Sequence, residues 1–329
     1  MDEPAYLPFL QQTMRYFDRP HDGPAQSPVV SPAAWKRRDL DDGAWRVRLD
    51  AGEVDELRRA VDAWTARSLP LATMTPADFA LPTLGAKIRQ WRNEVSTGRG
   101  LQVIGGVPVQ GWSQDEASAF FWGLGQHLGR PGAQNRRGDL LGHVRDTGAD
   151  RTDRYVRQYL TNQNIPFHCD AADMVGLLCL HPAQSGGLSR IASSVSVYNE
   201  LLRRRPDLAP RLFEPFMLDT RDEAEANGMH VLPIPPCRYS GGVLRTFWHS
   251  EYFRTSQRHE GVHLTDAENA LLDLYDEVSD SPDFYVDMSL EPGDVQLLSN
   301  HTVIHARTDY VDPPEEHRKR HLLRLWITL

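Results

Sequence analysis

Apolar positions recur at two different spacings along the chain. In residues 52 to 68, Val54, Leu57, Ala60, Val61 and Trp64 return at helical spacing, which predicts an amphipathic helix. Thr75-Pro76-Ala77-Asp78 predicts the start of another helix, with Thr75 as its cap and a proline at the first helical position. Residues 102 to 109 read as a strand and turn, and Ser113 to Glu116 has capping-box spacing ahead of an apolar helix reaching Leu128. Residues 15 to 45 are polar and broken by Pro and Gly, which predicts an irregular arm. Beyond the middle of the chain, short apolar runs dominate. A strand is expected soon after Asp170. Ser194 precedes a helix from about 195 to 204 that Pro206 stops, and a second short helix follows from Asp207. Residues 230 to 256 alternate in the manner of strands. Thr265 to Glu268 opens a helix to about 279, and strands follow at 283 to 290, 295 to 298 and 321 to 329.

Strands gathered around a helical interruption predict an α+β fold. The expected core is a double-stranded β-helix, or jelly roll, with flanking and inserted helices. Residues 1–95 are expected to form an arm and helices packed on that core, and residues 96–329 the jelly-roll domain, the two making one structural unit. There is no internal repeat.

At 329 residues, 40% hydrophobic and 25% charged, the chain has an ordinary globular composition. Its net charge of −9 argues against broad nucleic-acid or anionic-membrane binding. No apolar run approaches the roughly 18 residues of a membrane span, and the N-terminus lacks the basic-then-apolar order of a signal peptide. Three scattered cysteines, Cys169, Cys179 and Cys237, suit neither a disulfide framework nor a cysteine zinc site. A cytoplasmic location is therefore expected. Oligomeric state is open, a homo-oligomer included.

The candidate chemistry begins at His168-Cys169-Asp170. On an extended segment, residues i and i+2 point to one face, so both side chains could grip one metal ion while Cys169 turns away. A distant histidine would complete the 2-His-1-carboxylate triad that holds non-haem Fe(II) and leaves positions open. His301 and His305 both qualify, near the strand expected at 295 to 298.

Four segments together resemble the taurine-dioxygenase-like (TauD/TfdA-type) Fe(II)/2-oxoglutarate-dependent dioxygenases: His168-x-Asp170, Gly186-Gly187-Leu188-Ser189, Asn300-x4-His305, and Arg320-x3-Arg324. The likeness runs from about residue 100 to the end. It implies iron ligation by His168, Asp170 and His305. It also implies that Arg320 and Ser189 hold the distal carboxylate of 2-oxoglutarate, and that Arg324 faces the primary substrate. Arg318 and Lys319 are neighbouring alternatives to Arg320. Asn164 matches a position that contacts substrate in some relatives, and a turn-stabilising role before Pro166 competes with that reading. Such an enzyme requires Fe(II), 2-oxoglutarate and O2, and releases succinate and CO2 as it hydroxylates an aliphatic carbon of a small molecule. Arg324 suggests a carboxylate-bearing substrate, an amino acid or a natural-product intermediate. Desaturation, epimerisation or cyclisation would use the same cofactors, and a non-enzymatic metal-binding jelly roll would keep the ligands without the 2-oxoglutarate anchor. An intact Asp170 argues against halogenation. Phe247-Trp248-His249 and Tyr252 are expected to pack in the core rather than meet substrate, and Cys169 to be buried and inert.

Overall fold

The structure, a computed structural model, describes residues 6–40, 42–150, 156–221 and 230–329. Two sheets face each other. The larger has seven strands. Six run in the order Arg46–Arg48, Leu101–Gly105, Val295–Ser299, Met174–His181, His321–Thr328 and Arg130–Gly132, and Gly142–Val144 also pairs with His321–Thr328. The smaller has the order Tyr285–Met288, Ser189–Ser193, Val303–Arg307, Ile165–His168 and is antiparallel throughout. This is the expected jelly-roll arrangement as two facing sheets, not a closed barrel.

Side-chain alternation explains the layers. In His321–Thr328, Leu323, Leu325 and Ile327 turn outward and are buried under the helices Ala51–Thr65, Gly85–Ser96 and Gln114–Leu128. Leu322 and Trp326 turn inward, with Val175, Cys179 and Leu298, against Ile191 and Val303 of the smaller sheet. The helices Ser194–Arg204 and Asp266–Ser279 cover the other face of the smaller sheet through Leu201, Leu271 and Tyr275. Three helices begin with reciprocal capping boxes, at Asp50, Ser113 and Thr265. Each cap is worth about 1 kcal/mol.

Several sequence expectations need correction. No helix starts at Thr75. The Asp78 carboxylate accepts both the Thr75 backbone N–H at 3.0 Å and its hydroxyl at 2.6 Å, closing a turn. Pro82 then disfavours helix at Leu81, and the helix is postponed to Gly85. Among the described residues, the stretch 15 to 45 is irregular apart from the end of the helix Phe9–Phe17, a 3-10 turn at Arg37–Asp39 and a short helix at Asp42–Trp45, and the parallel edge strand Arg46–Arg48 follows directly. Ser193, not Ser194, caps the next helix, its hydroxyl accepting the Ser196 N–H at 3.0 Å. The element expected at Asp207 is a 3-10 turn, Ala209–Phe213. Among the described residues, no helix is long and apolar enough to cross a membrane.

Candidate metal centre and active-site cavity

Strand register builds the centre. His305 lies directly opposite His168 in the pairing of Val303–Arg307 with Ile165–His168, so the two rings share a face, with centroids 4.3 Å apart. The strand ends at His168, and Asp170 follows in the turn beyond it rather than on extended strand as expected. That turn is pinned. The Asp170 N–H donates to Asn300 Oδ1 at 3.1 Å, and Asn300 Nδ2 donates to the Ala172 carbonyl at 2.9 Å. Among the described residues, His168, Asp170 and His305 are the one group whose ligand atoms lie close enough for a shared metal, all within 4.8 Å of one another.

Their chemistry fits a divalent cation. The Pro166 carbonyl, 2.9 Å from His168 Nδ1, can only accept, so that nitrogen carries the proton and Nε2 keeps its lone pair. Burial lowers the pKa of His168, and burial followed by the neighbouring His168 pushes His305 down to about 3. Both rings are therefore neutral at physiological pH, with the lone pairs a metal would need. Burial alone would raise the Asp170 carboxyl, but Arg324, then His305 and His168, outweigh it and hold it below the usual carboxylate range. Asp170 Oδ2 lies 3.8 Å from His305 Nε2, and both Oδ2 and His305 Nδ1 are buried with no hydrogen-bond partner. A carboxylate oxygen orphaned beside two neutral imidazoles is the donor set a ferrous ion takes.

His301, the rival ligand, is elsewhere. Its Nε2 contacts Asp173 Oδ1 at 2.7 Å, and its ring stacks on Tyr16 with centroids 4.7 Å apart. Cys169 is buried with its thiol turned toward the Thr246 and Val303 carbonyls, and burial raises its pKa, consistent with an inert role.

Of the three basic residues before the last strand, only Arg320 is inside. Arg318 and Lys319 form exposed ion pairs with Glu315 and Glu316. Arg320 is 5% exposed and lies over the Tyr310 ring at 5.0 Å, and its Nη1 is buried without a hydrogen-bond partner. A Cβ at Gly187 would come within 3.0 Å of Arg320 Nε, and Gly187 has φ +66°, so the glycine serves both the turn and the close approach. Ser189 is buried, but its hydroxyl donates to Gln296 Oε1 at 3.0 Å and makes no bond to Arg320.

A cavity of about 500 Å³ opens on His168 and Asp170. Its wall carries Arg136, Arg137, Arg157 and Arg324 among Tyr159, Tyr252, Phe247 and Trp326. Arg324 lines it while donating to Asp170 Oδ1 at 3.2 Å. Asn164 is exposed and outside the lining. The aromatic cluster divides: Trp248 is core, stacked on Tyr275 with centroids 3.7 Å apart, whereas Phe247, His249 and Tyr252 line the cavity. His249 stacks on Tyr252, with its ring 5.4 Å from that of His168. Neither His249 nor Gln134 stands in a motif that spacing could have flagged. The nearest signal was the aromatic density around residue 250.

Two histidines and a carboxylate clustered beside two facing sheets, with a buried arginine whose Nη1 lacks a partner just ahead of the strand that carries Arg324, are what a non-haem iron oxygenase of the jelly-roll class requires. The chain belongs to the taurine catabolism dioxygenase TauD, TfdA family, whose profile matches residues 66–326. It is 31% identical over 309 residues to FR-33289 synthase of Streptomyces rubellomurinus, covering 92% of this chain and 91% of that protein. It is 27% identical over 293 residues to the taurine hydroxylase-like protein SAT17 of Stachybotrys chartarum, covering 85% and 74%. The fold matches asparagine oxygenase, solved with Fe(II), hydroxyasparagine and succinate, at TM-score 0.66 and 18% identity, covering 86% of this chain and 93% of that one. It also matches the non-haem iron oxygenase OrfP, solved with Fe and alpha-ketoglutaric acid, at TM-score 0.61 and 16% identity, covering 86% and 94%. The protein is an Fe(II)- and 2-oxoglutarate-dependent dioxygenase.

Proposed function

We propose that the enzyme hydroxylates an aliphatic carbon of a small anionic molecule, an amino acid or natural-product intermediate, in the cavity beside His168 and Asp170. The observation that carries this reading is the cavity wall, where arginines stand among aromatic rings directly against the metal centre. Arginine forks suit carboxylate-like groups, and the rings suit an apolar body. The relative named as a synthase, and solved neighbours holding hydroxylated asparagine and arginine, support that substrate class.

His168, Asp170 and His305 would hold the iron. When bound, iron and 2-oxoglutarate supply the oxidising chemistry, with succinate and CO2 released. The protein's own part is placement and water exclusion. A buried guanidinium with an unpartnered nitrogen is costly unless an anion meets it, which supports Arg320 as the partner of 2-oxoglutarate's distal carboxylate. Ser189 joins that carboxylate only by releasing Gln296. Arg324 Nη2 has no partner among the described residues and would reach the substrate's anionic group. Asn164 would act on substrate only if its segment turned inward. A net charge of −9 favours a small-molecule partner over nucleic acid, and three buried free thiols suit the cytoplasm.

The test is succinate release across a panel of amino acids and acidic natural-product intermediates, with 2-oxoglutarate, O2 and Fe(II) present. Substrate-dependent succinate with a hydroxylated product is expected. Turnover on neutral apolar molecules alone would overturn the anionic assignment.

A further inference from the structure

Arg324 stands where the metal centre meets the cavity, and the protein already occupies two of its three nitrogens. Nε donates to Gln134 Oε1 at 2.8 Å, and Nη1 donates to Asp170 Oδ1 at 3.2 Å. Gln134 is 4% exposed and is itself anchored: its Nε2 donates to the Arg324 carbonyl at 2.6 Å and to the Leu140 carbonyl at 3.2 Å. The guanidinium is also packed over Tyr159 at 4.6 Å and Trp326 at 5.1 Å. Gly142, opposite Arg324 in the strand register, makes this possible, since a Cβ there would come within 2.8 Å of Gln134 Oε1.

The consequence falls on Asp170. One carboxylate oxygen is held by the arginine, the backbone N–H is held by Asn300, and the other oxygen is bare and buried. A carboxylate fixed in this way is preset to give one oxygen to a metal rather than two. We propose that Gln134 and Arg324 are positioning residues for the iron, tying down Asp170 Oδ1 so that Oδ2 alone is presented to the ion. The inference rests on the iron reading of the triad and goes beyond it. A substrate-contacting Arg324 need not touch the metal ligand at all, whereas here one guanidinium serves both. Lysine cannot replace it, because a single ammonium has no planar fork to span Gln134 and Asp170 together.

The test uses the full-length protein and Co(II), a redox-stable probe, without 2-oxoglutarate or turnover. Co(II) affinity and the visible d–d spectrum are recorded for the wild type and for Arg324→Met, Arg324→Lys and Gln134→Met. Far-ultraviolet circular dichroism and metal-free unfolding temperature confirm folding. Removing an outer partner of a metal ligand typically weakens binding about 10- to 100-fold, and Arg324→Met is expected to fall in that range with a shifted d–d spectrum. Gln134→Met is expected to move both readouts in the same direction by less. If Arg324→Met does not fold, Arg324→Lys carries the test, with weaker binding and a shifted spectrum expected. A folded Arg324 variant that keeps wild-type Co(II) affinity and spectrum overturns the positioning role. A wild type that binds no Co(II) instead overturns the iron reading itself.

Discussion

The metal centre and the cavity wall are neighbours built by different means. His168 and His305 face each other because two strands are in register, and Asp170 is pinned by a buried asparagine. A one-residue slip would turn His305 to the other face, where helices cover the sheet. Much of the wall comes from outside the two sheets: the helix Phe9–Phe17, residues 134–137, the 3-10 turn Gln158–Leu160, the end of the strand Phe216–Asp219, and Phe247 to Tyr252, while Arg324 and Trp326 enter it from the last strand. Loops tolerate change that paired strands do not. The contrast assigns metal binding to the paired strands and most of substrate choice to the segments around them, with Arg324 bridging the two, and it predicts that the centre and the wall away from Arg324 can be damaged separately.

The largest expected effect is at the centre. Asp170→Ala and His305→Ala each abolish stoichiometric Fe(II) binding and bring succinate production to background, as read by metal analysis and coupled assay. Arg320→Ala comes next. Losing one partner of a buried charge pair costs about 2–5 kcal/mol, so 2-oxoglutarate affinity should fall by roughly 30- to 1,000-fold or more while Fe(II) still binds. Unchanged 2-oxoglutarate affinity by calorimetry would remove Arg320 from the cofactor site. On the wall, Tyr252→Ala strips the ring stacked on His249 and the hydroxyl that accepts from Arg157 at 3.0 Å. The substrate KM should rise about tenfold, the effect of one lost contact of 1–2 kcal/mol, with Co(II) binding intact. Weakened metal binding in that variant would break the separation of centre from wall.

A separate effect falls on the pH dependence of metal-free stability rather than on turnover. His305 is held at about 3 in the folded state, whereas a free histidine titrates near ~6.5. The unfolded chain therefore binds the extra proton first, and metal-free stability should fall as pH drops below about 6.5, by at most about 1.4 kcal/mol per pH unit for each such group. His305→Ala should flatten that slope in thermal unfolding measured between pH ~6.5 and ~4.

The division between sheets and loops also explains what the sequence could reveal. His168-x-Asp170 was legible because two-residue spacing before an apolar run is a local signal. The choice of His305 over His301 was legible only through the family resemblance, since its physical basis is pairing with a distant strand and Asp173, which draws His301 into a separate buried contact. Capping boxes at Ser113 and Thr265 announced real helices, but Thr75-Pro76-x-Asp78 used the same residue types to close a turn. The inward arginines, Arg324 on the last strand and Arg320 just ahead of it, could not be told from solvated ones by alternation alone; the surrounding fold buries Arg320 fully and Arg324 in part. Gln134, His249 and Arg157 reach the site through chain reversals that leave no periodic trace.

The central claim is that His168, Asp170 and His305 share one ferrous ion to which 2-oxoglutarate binds. Anaerobic titration of the metal-free protein with Fe(II) and then 2-oxoglutarate, followed by visible absorption, tests it directly. The account predicts a charge-transfer band that saturates at one iron per chain and is absent from Asp170→Ala. A wild-type protein that forms no such band, or an Asp170→Ala variant that forms it undiminished, would contradict the account.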